Sequence, residues 1–371
     1  MPVSTRSLRD LQVEYVELYV NDTAATATDL ARRYGLEVAG ARGDRGGVSD
    51  HYSMTLQRGE IGLVVTEATD EQHPAALYVQ RHGAGVANIA MRTPDARDAF
   101  DAAVARGARP VTEPVTGPDG SVSATIAGFG DVTHTFVERP RGGTDRGVVL
   151  PGATPVPPGS AQPGLDGSLP APDLRTVDHF AVLLEAGTLD PTVEFYESAL
   201  DFSVIFQERI VVGAQAMLSK VVQSASQQVT FTLIEPDPSA EAGQIDEFLK
   251  NHAGPGVQHV AFSTGGIVAA VSAAQARGVE FLTTPGAYYR LLAQRMELVR
   301  YTADDLRALN ILVDEDHDGQ LFQIFARSAH PRRTFFFELI ERLGARTFGS
   351  GNIKALYEAV EAERIKPQDV L

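Results

Sequence analysis

At 371 residues, with 43% hydrophobic and 22% charged residues, the chain has the composition of a globular protein of about two domains. A net charge of -16 argues against duplex nucleic acid as a partner, because phosphate binding draws on clustered Lys and Arg. The absence of cysteine excludes disulfides, thiolate nucleophiles, iron–sulfur clusters and sulfur-bound zinc, so any metal must be held by His, Asp and Glu.

The opening MPVSTRSLRD has basic residues with no apolar stretch behind them, and apolar runs such as Phe180 to Leu184 fall far short of a bilayer span. A cytoplasmic protein with no membrane partner is expected. From Val13 the chain reads VEYVELYV, a β-branched and aromatic run of the kind that forms strands. From Tyr78, YVQRHGAGVANIAMRTPDARDAFDAAVARGARPVTEP gives a second such run after Gly85, then an Ala-rich stretch, Pro94 to Arg106, which predicts a helix stopped by Gly107. GDVTHTFVER, from Gly130, supplies a closing strand. Eight prolines and seven glycines then fall in the 33 residues from Pro140 to Pro172, the composition of a linker.

Beyond the linker the same order returns. VDHFAVLL begins at Val177, FLKNHAGPGVQHVAFSTGGIVAAVSAAQARGVEFLTTP at Phe248, and GQLFQIFAR at Gly319, with the second Ala-rich helix, Gly266 to Arg277, ending at Gly278. Such order over more than a hundred residues indicates two copies of one module, the first of the questions a sequence should be asked. Repeated βαβββ units pair into an open, cupped sheet, and a cup is a natural place for a ligand. The expected fold is α+β, with an N-terminal domain over residues 10–140, a linker over 141–174 and a C-terminal domain over 175–371.

The copies are most informative where they disagree. Tyr15 stands where the second copy has His179, and Asn88 where it has His259. Taken alone, a His in an apolar strand is ordinarily a core residue with one hydrogen bond. Two at matched positions of one copy are different, because two imidazoles and one carboxylate form the facial metal site of non-haem Fe(II) oxygenases. Simple alternation puts His179 on a face with Val177 and Ala181, and His259 with Val257 and Ala261, both directed into the C-terminal cup. Glu338, in FFFELIERLG, is open to two readings. On a helix it shares a polar face with Glu341 and Arg342; on a strand it shares a face with Phe336 and Ile340, where an unpartnered carboxylate would require a cation. His51, His73, His82, His252, His317 and His330 lie in loop, turn or helix-end contexts, and the matched His82 and His252 suggest a structural role.

The stretches DHFAV, GVQHVAF, GQLFQIF, FFFELIER and FGSGNIKALYEAVE resemble those of the 4-hydroxyphenylpyruvate dioxygenases and their close relatives the 4-hydroxymandelate synthases, of the vicinal oxygen chelate superfamily. The resemblance runs from about Val13 to Glu363 and implies two tandem vicinal oxygen chelate domains forming open, barrel-like cups. It implies one Fe(II) per chain on His179, His259 and Glu338, and a metal-free N-terminal domain. It further implies a 4-hydroxyphenyl 2-oxo acid as substrate and O2 as co-substrate. Such an acid chelates iron through its keto and carboxylate oxygens, so no 2-oxoglutarate is needed. Gln323 and Phe348 become catalytic candidates by the same resemblance, and Ser219, Thr232, Gln244, Gln258, Phe325, Ile353 and Asn352 candidates for the substrate pocket. The residues from Gly349 onward become a turn and a helix covering the mouth of the site. A homo-oligomer, dimer or tetramer, is expected through the N-terminal domain.

Two departures from the dioxygenase pattern concern the product. Where those enzymes have Phe in GNFKAL this chain has Ile353, and where they have Pro in PxNEP it has Thr232, in TLIEP. Both match the synthases. The expectation is benzylic hydroxylation to 4-hydroxymandelate, which feeds 4-hydroxyphenylglycine for peptide antibiotics; ring attack giving homogentisate is the alternative.

Overall fold

The computed structural model describes residues 6–44, 49–140, 150–157, 160, 167–347, 351–352 and 354–355. A short helix α1 (Arg6–Arg9) precedes the first βαβββ module: β1 (Gln12–Tyr19), α2 (Thr23–Tyr34), β2 (Glu37–Gly43), β3 (His51–Arg58) and β4 (Ile61–Ala68). Helix α3 (Pro74–His82) leads to the second: β5 (Gly85–Arg92), α4 (Ala96–Ala105), β6 (Pro110–Thr116), β7 (Val122–Ala127) and β8 (Thr133–Glu138). A two-residue strand β9 (Thr154–Pro155) follows.

The C-terminal half repeats the plan. Its first module is β10 (Val177–Leu183), α5 (Leu189–Leu200), β11 (Ser203–Val212), β12 (Gln215–Gln223) and β13 (Thr230–Pro236), joined by α6 (Gln244–His252) to the second. That module is β14 (Gly256–Ser263), α7 (Ile267–Ala276), β15 (Leu312–Asp316), β16 (Gly319–Phe325) and β17 (Phe336–Leu343). Two helices, α8 (Gly286–Arg295) and α9 (Ala303–Ala308), are inserted before β15. The strand orders are β6-β7-β8-β5-β1-β4-β3-β2-β9 and β11-β12-β13-β10-β14-β17-β16-β15. Each sheet is therefore two modules joined through their first strands, as the duplicated α+β reading requires.

Local chemistry explains the helix limits. Asp22 and Asp95 cap α2 and α4 by accepting from Ala25 and Asp98 backbone N–H groups, each at 3.0 Å. Gly107 and Gly278 follow α4 and α7 at φ +103° and +86°, a conformation that strains any L side chain, which is why each helix stops there.

One match read from the sequence is corrected. GDVTHTFVER forms β8, which runs parallel to β5, whereas GQLFQIFAR forms β16, and the strand parallel to β14 is β17. The structural equivalent of β8 is thus β17, and Thr135 occupies the place of Glu338. Neighbouring strands of one sheet share the same alternation, and only the hydrogen-bonded partner tells them apart. Part of the expected linker, 141–174, packs on the N-terminal domain. Leu150 is buried with Tyr15, Val64, Ala90 and Val137, and Thr154–Pro155 pairs with β2, so this stretch fills and extends the N-terminal sheet.

The helix-covered faces of the two sheets share one core. Tyr34 meets Phe337 at a centroid distance of 5.1 Å, and Phe129 meets Phe231 at 6.4 Å. His82 and His252 stack across the domains at 4.4 Å, His82 donating to the His252 carbonyl at 2.6 Å, which is the structural role expected of them. His134 is buried at the same junction, 2.8 Å from the Tyr196 hydroxyl, and burial pushes its pKa down to about 4. The unfolded chain therefore takes up this proton near pH 6.5 while the folded chain resists it, so stability present above pH 6.5 is lost toward pH 4. The melting temperature is expected to fall between pH 7 and 5, and to fall less in His134→Gln. An unchanged pH dependence in that variant would refute the assignment.

Candidate metal centre and its pocket

Three central strands place the candidate ligands. His179 on β10 is registered with Ala261 on β14, and Ala261 with Glu338 on β17, while His259 sits two pairs along, opposite Ala181. All three face the inside of the cup and all are buried. The strand reading of Glu338 holds, and the side chain lies on the face of Phe336 and Ile340. Ala261 stands between His179 and Glu338 with only a methyl group, leaving the space the three ligand atoms share.

The phase expected from simple alternation is half right. Register shifts interrupt β10 between Val177 and His179 and the pairing opposite Gln258, so Val177 and Val257 pack into the helix-side core with Val260 and Phe262. A β-bulge inserts one residue and so flips the parity of everything beyond it. Matching shifts occur at Glu14 and Ala87 in the N-terminal copy, so the bulges belong to the module and do not depend on the candidate ligands.

Geometry and charge fit a metal. Glu338 Oε2 lies 3.1 Å from His259 Nε2 and 3.5 Å from His179 Nε2, and all three ligand atoms fall within 4.8 Å of one another. At bond lengths of roughly 2.0–2.2 Å, neighbouring ligands around a metal stand about 3 Å apart. That carboxylate oxygen is fully buried and receives no well-directed hydrogen bond, an arrangement a cation would satisfy. Burial works to lower the His179 pKa, but the Glu338 carboxylate and the bond to Asp178 raise it to about 9. Burial works to raise that of Glu338, and His179 brings it down to about 2. Burial pushes the His259 pKa below that of a free imidazole. The metal-free site thus holds one proton on the His179–Glu338 pair, which a metal must displace.

Around the triad the structure groups several expected residues. Gln323 Nε2 donates to Glu338 Oε1 at 2.8 Å, and Asn352 Nδ2 donates to Gln323 Oε1 at 2.8 Å. Phe325 is registered with Glu338 and lies 5.9 Å from the His259 ring; Phe336, which sequence reasoning did not single out for the pocket, stacks on that ring at 5.0 Å. Thr232 is registered with Ala181 and so faces the cup, its hydroxyl buried without a partner among the described residues. Ser219 is buried on β12, opposite Ile234. Gln244 is buried at the start of α6, and Gln258 is the half-buried residue of the bulge. Phe348 and Ile353 lie outside the described residues, as does the covering helix apart from residues 351–352 and 354–355.

The sequence reading missed Asp178 and Arg342. His179 Nδ1 donates to Asp178 Oδ1 at 2.9 Å, and Arg342 donates to both oxygens of that carboxylate, each at 2.9 Å. Such a carboxylate fixes which imidazole nitrogen meets the metal. The signal was present as an Asp directly before the His and an Arg four residues after the Glu. A second grouping, Asp50, His51 and His73, lies at the surface; its imidazoles are stacked at 4.9 Å and Arg42 faces His51 Nε2 at 3.0 Å, which does not favour a cation. In the N-terminal cup, Tyr15, Asn88 and Thr135 occupy the three ligand positions, and Asn88 bonds Thr135 and Glu17.

Paired βαβββ modules with a candidate two-histidine, one-carboxylate centre in one cup are the architecture of the vicinal oxygen chelate superfamily. Residues 176–324 match the Glyoxalase/Bleomycin resistance protein/Dioxygenase superfamily, and residues 13–147 match the N-terminal domain of hydroxyphenylpyruvate dioxygenase. The chain is 31% identical to 4-hydroxyphenylpyruvate dioxygenases of Yarrowia lipolytica, over 95% of this chain and 92% of that one, and of Dictyostelium discoideum, over 95% and 97%. A solved structure of a triple mutant of 4-hydroxymandelate synthase from Streptomyces coelicolor superposes with a TM-score of 0.83 at 42% identity, covering 95% of this chain and 98% of that one. The chain belongs to the 4-hydroxyphenylpyruvate dioxygenase family. No helix among the described residues is long and apolar enough to cross a membrane.

Proposed function

We propose that the protein is a 4-hydroxymandelate synthase, converting 4-hydroxyphenylpyruvate and O2 to 4-hydroxymandelate and carbon dioxide with one Fe(II) per chain. The observation that carries this reading is the Thr232 hydroxyl, buried in the cup with no partner among the described residues, at a position where the dioxygenase pattern has proline. A buried hydroxyl left unpaired costs about 1–3 kcal/mol, which a substrate phenol would recover. The 42% identity to a synthase, against 30–35% to dioxygenases, supports the same choice.

Iron held by His179, His259 and Glu338 would take the keto and carboxylate oxygens of the substrate and activate dioxygen. The protein's own residues then decide orientation. Phe325 and Phe336 wall the His259 side of the cup and suit an aromatic ring, while Thr232 and Ser219, on the strands beyond Ala181, suit its phenol. Gln244, Gln258, Phe348, Ile353 and Asn352 complete the proposed lining. The position of the ring selects the benzylic or the ring carbon for hydroxylation. A cytoplasmic homo-oligomer acting on this aromatic 2-oxo acid is part of the proposal.

The test is product analysis. Protein loaded anaerobically with Fe(II), then given air and 4-hydroxyphenylpyruvate, is expected to yield 4-hydroxymandelate and one carbon dioxide without added 2-oxoglutarate. Homogentisate as the sole product would overturn the synthase reading in favour of the dioxygenase, and a strict need for 2-oxoglutarate would overturn both.

A further inference from the structure

Two hydrogen-bond chains run from the metal ligands to the polypeptide that follows β17. In the first, His179 Nδ1 donates to Asp178, Arg342 holds that carboxylate through Nε and Nη2, and Arg342 Nη1 donates to the carbonyls of Thr347 at 2.6 Å and Ala345 at 3.3 Å. In the second, Glu338 Oε1 accepts from Gln323, whose Oε1 accepts from Asn352, whose Oδ1 accepts from the Tyr288 hydroxyl at 3.4 Å. The Gln323 amide has no freedom to flip. Its nitrogen must face the carboxylate, so its oxygen must face a donor, and Asn352, fully buried, supplies one. The same stretch is pinned from outside by carboxylates of β15: Asp316 accepts from the Arg346 and Thr347 amides at 2.8 Å each, and Asp314 from the Gly351 amide at 2.9 Å.

The N-terminal copy shows what is particular to this arrangement. There Glu14 takes the place of Asp178 and Arg139 that of Arg342, joined at 2.6 Å, with Tyr15 where the ligand His would be. The carboxylate–arginine pair is therefore a module feature that ties the first strand to the last. In the C-terminal copy the shorter Asp reaches the adjacent imidazole, and the Arg reaches onward to residues 345 and 347. Among the described residues, the partners of Thr135 are Asn88 and Thr125.

We propose that Arg342 and Asn352 are positioning residues that make the seating of residues 345–347 and 351–352 and the arrangement of His179 and Glu338 a single event. Asn352 then acts on the metal ligand through Gln323 in addition to any contact with substrate. Coupling of this kind is reciprocal: whatever the seated segment adds to metal affinity, the bound metal adds to the seating. This rests on the triad being the metal site, and not on which product is made.

The experiment uses Co(II) as probe, with affinity measured by chelator competition and amide hydrogen exchange followed at residues 345–347, 351 and 352. In the wild type, Co(II) is expected to slow exchange at these amides. Asn352→Ala and Arg342→Lys are expected to weaken Co(II) binding about 10- to 100-fold, the range for loss of a group that orients a ligand. Arg139→Lys, the equivalent change in the metal-free copy, serves as control and is expected to leave affinity unchanged. Equal affinity in wild type and Asn352→Ala, or exchange indifferent to Co(II), overturns the proposal. So does a comparable loss in Arg139→Lys, which would mark a general effect on the fold. Failure of the wild type to bind Co(II) at all would instead sink the triad.

Discussion

Replacing Glu338, His179 or His259 with Ala is expected to abolish iron binding and reduce turnover at least a thousandfold, with the wild type binding one iron per chain. The structure adds an order to the accompanying losses of stability. In the metal-free protein Glu338 is buried as a carboxylate, balanced by the His179 imidazolium and bonded by Gln323. His179→Ala strands that charge, and removing one partner of a buried pair costs about 3–5 kcal/mol. Glu338→Gln removes the charge and keeps the shape, so its cost should be smaller, although metal binding is lost all the same. Thermal melts of the metal-free variants, beside iron analysis and oxygen consumption, give all three readings. Full activity in Glu338→Ala, or two irons per wild-type chain, would end the triad assignment. Glu338→Gln less stable than His179→Ala would end the account of its charge.

Ile353→Phe is expected to shift the product away from 4-hydroxymandelate and to yield some ring-hydroxylated acid. Both products branch from a common point, so their ratio reflects a difference between two barriers, and about 1.4 kcal/mol changes it tenfold. One altered aromatic contact is of that size. Thr232→Pro restores the dioxygenase-like residue at the other departure, but β13 lies inside the eight-stranded sheet between β12 and β10, where proline also removes a ladder donor. Thr232→Val is the cleaner partner, since it puts a methyl group of similar size in place of the hydroxyl and keeps the ladder donor. Overall rate should fall in Ile353→Phe as the added ring crowds the pocket. Products are compared by chromatography at equal substrate consumption. An unchanged ratio in Ile353→Phe and in its double variant with Thr232→Val would leave the synthase function standing and remove these two residues as its cause.

Much of this protein could be read from its residues. The duplication, the α+β class and the two candidate histidine ligands follow from patterns that are local in sequence: strand periodicity, helices stopped at Gly107 and Gly278, and His179 and His259 appearing where Tyr15 and Asn88 stand in the other copy. Position along a strand is a local property, so comparison of two copies exposes a change of chemistry without any knowledge of the third dimension. What needed tertiary structure were the relations between strands. The bulges beside His179 and His259, which reverse the faces of Val177 and Val257, depend on a partner strand, and so does the equivalence of β8 with β17 in place of β16. Whether Glu338 lay on a helix or a strand was undecided by its own neighbours, since both periods suited them; pairing with β14 decided it. Asp178 and Arg342, 164 residues apart, meet only because β10 and β17 flank β14, and no spacing in the chain could announce a bond that the order of strands creates.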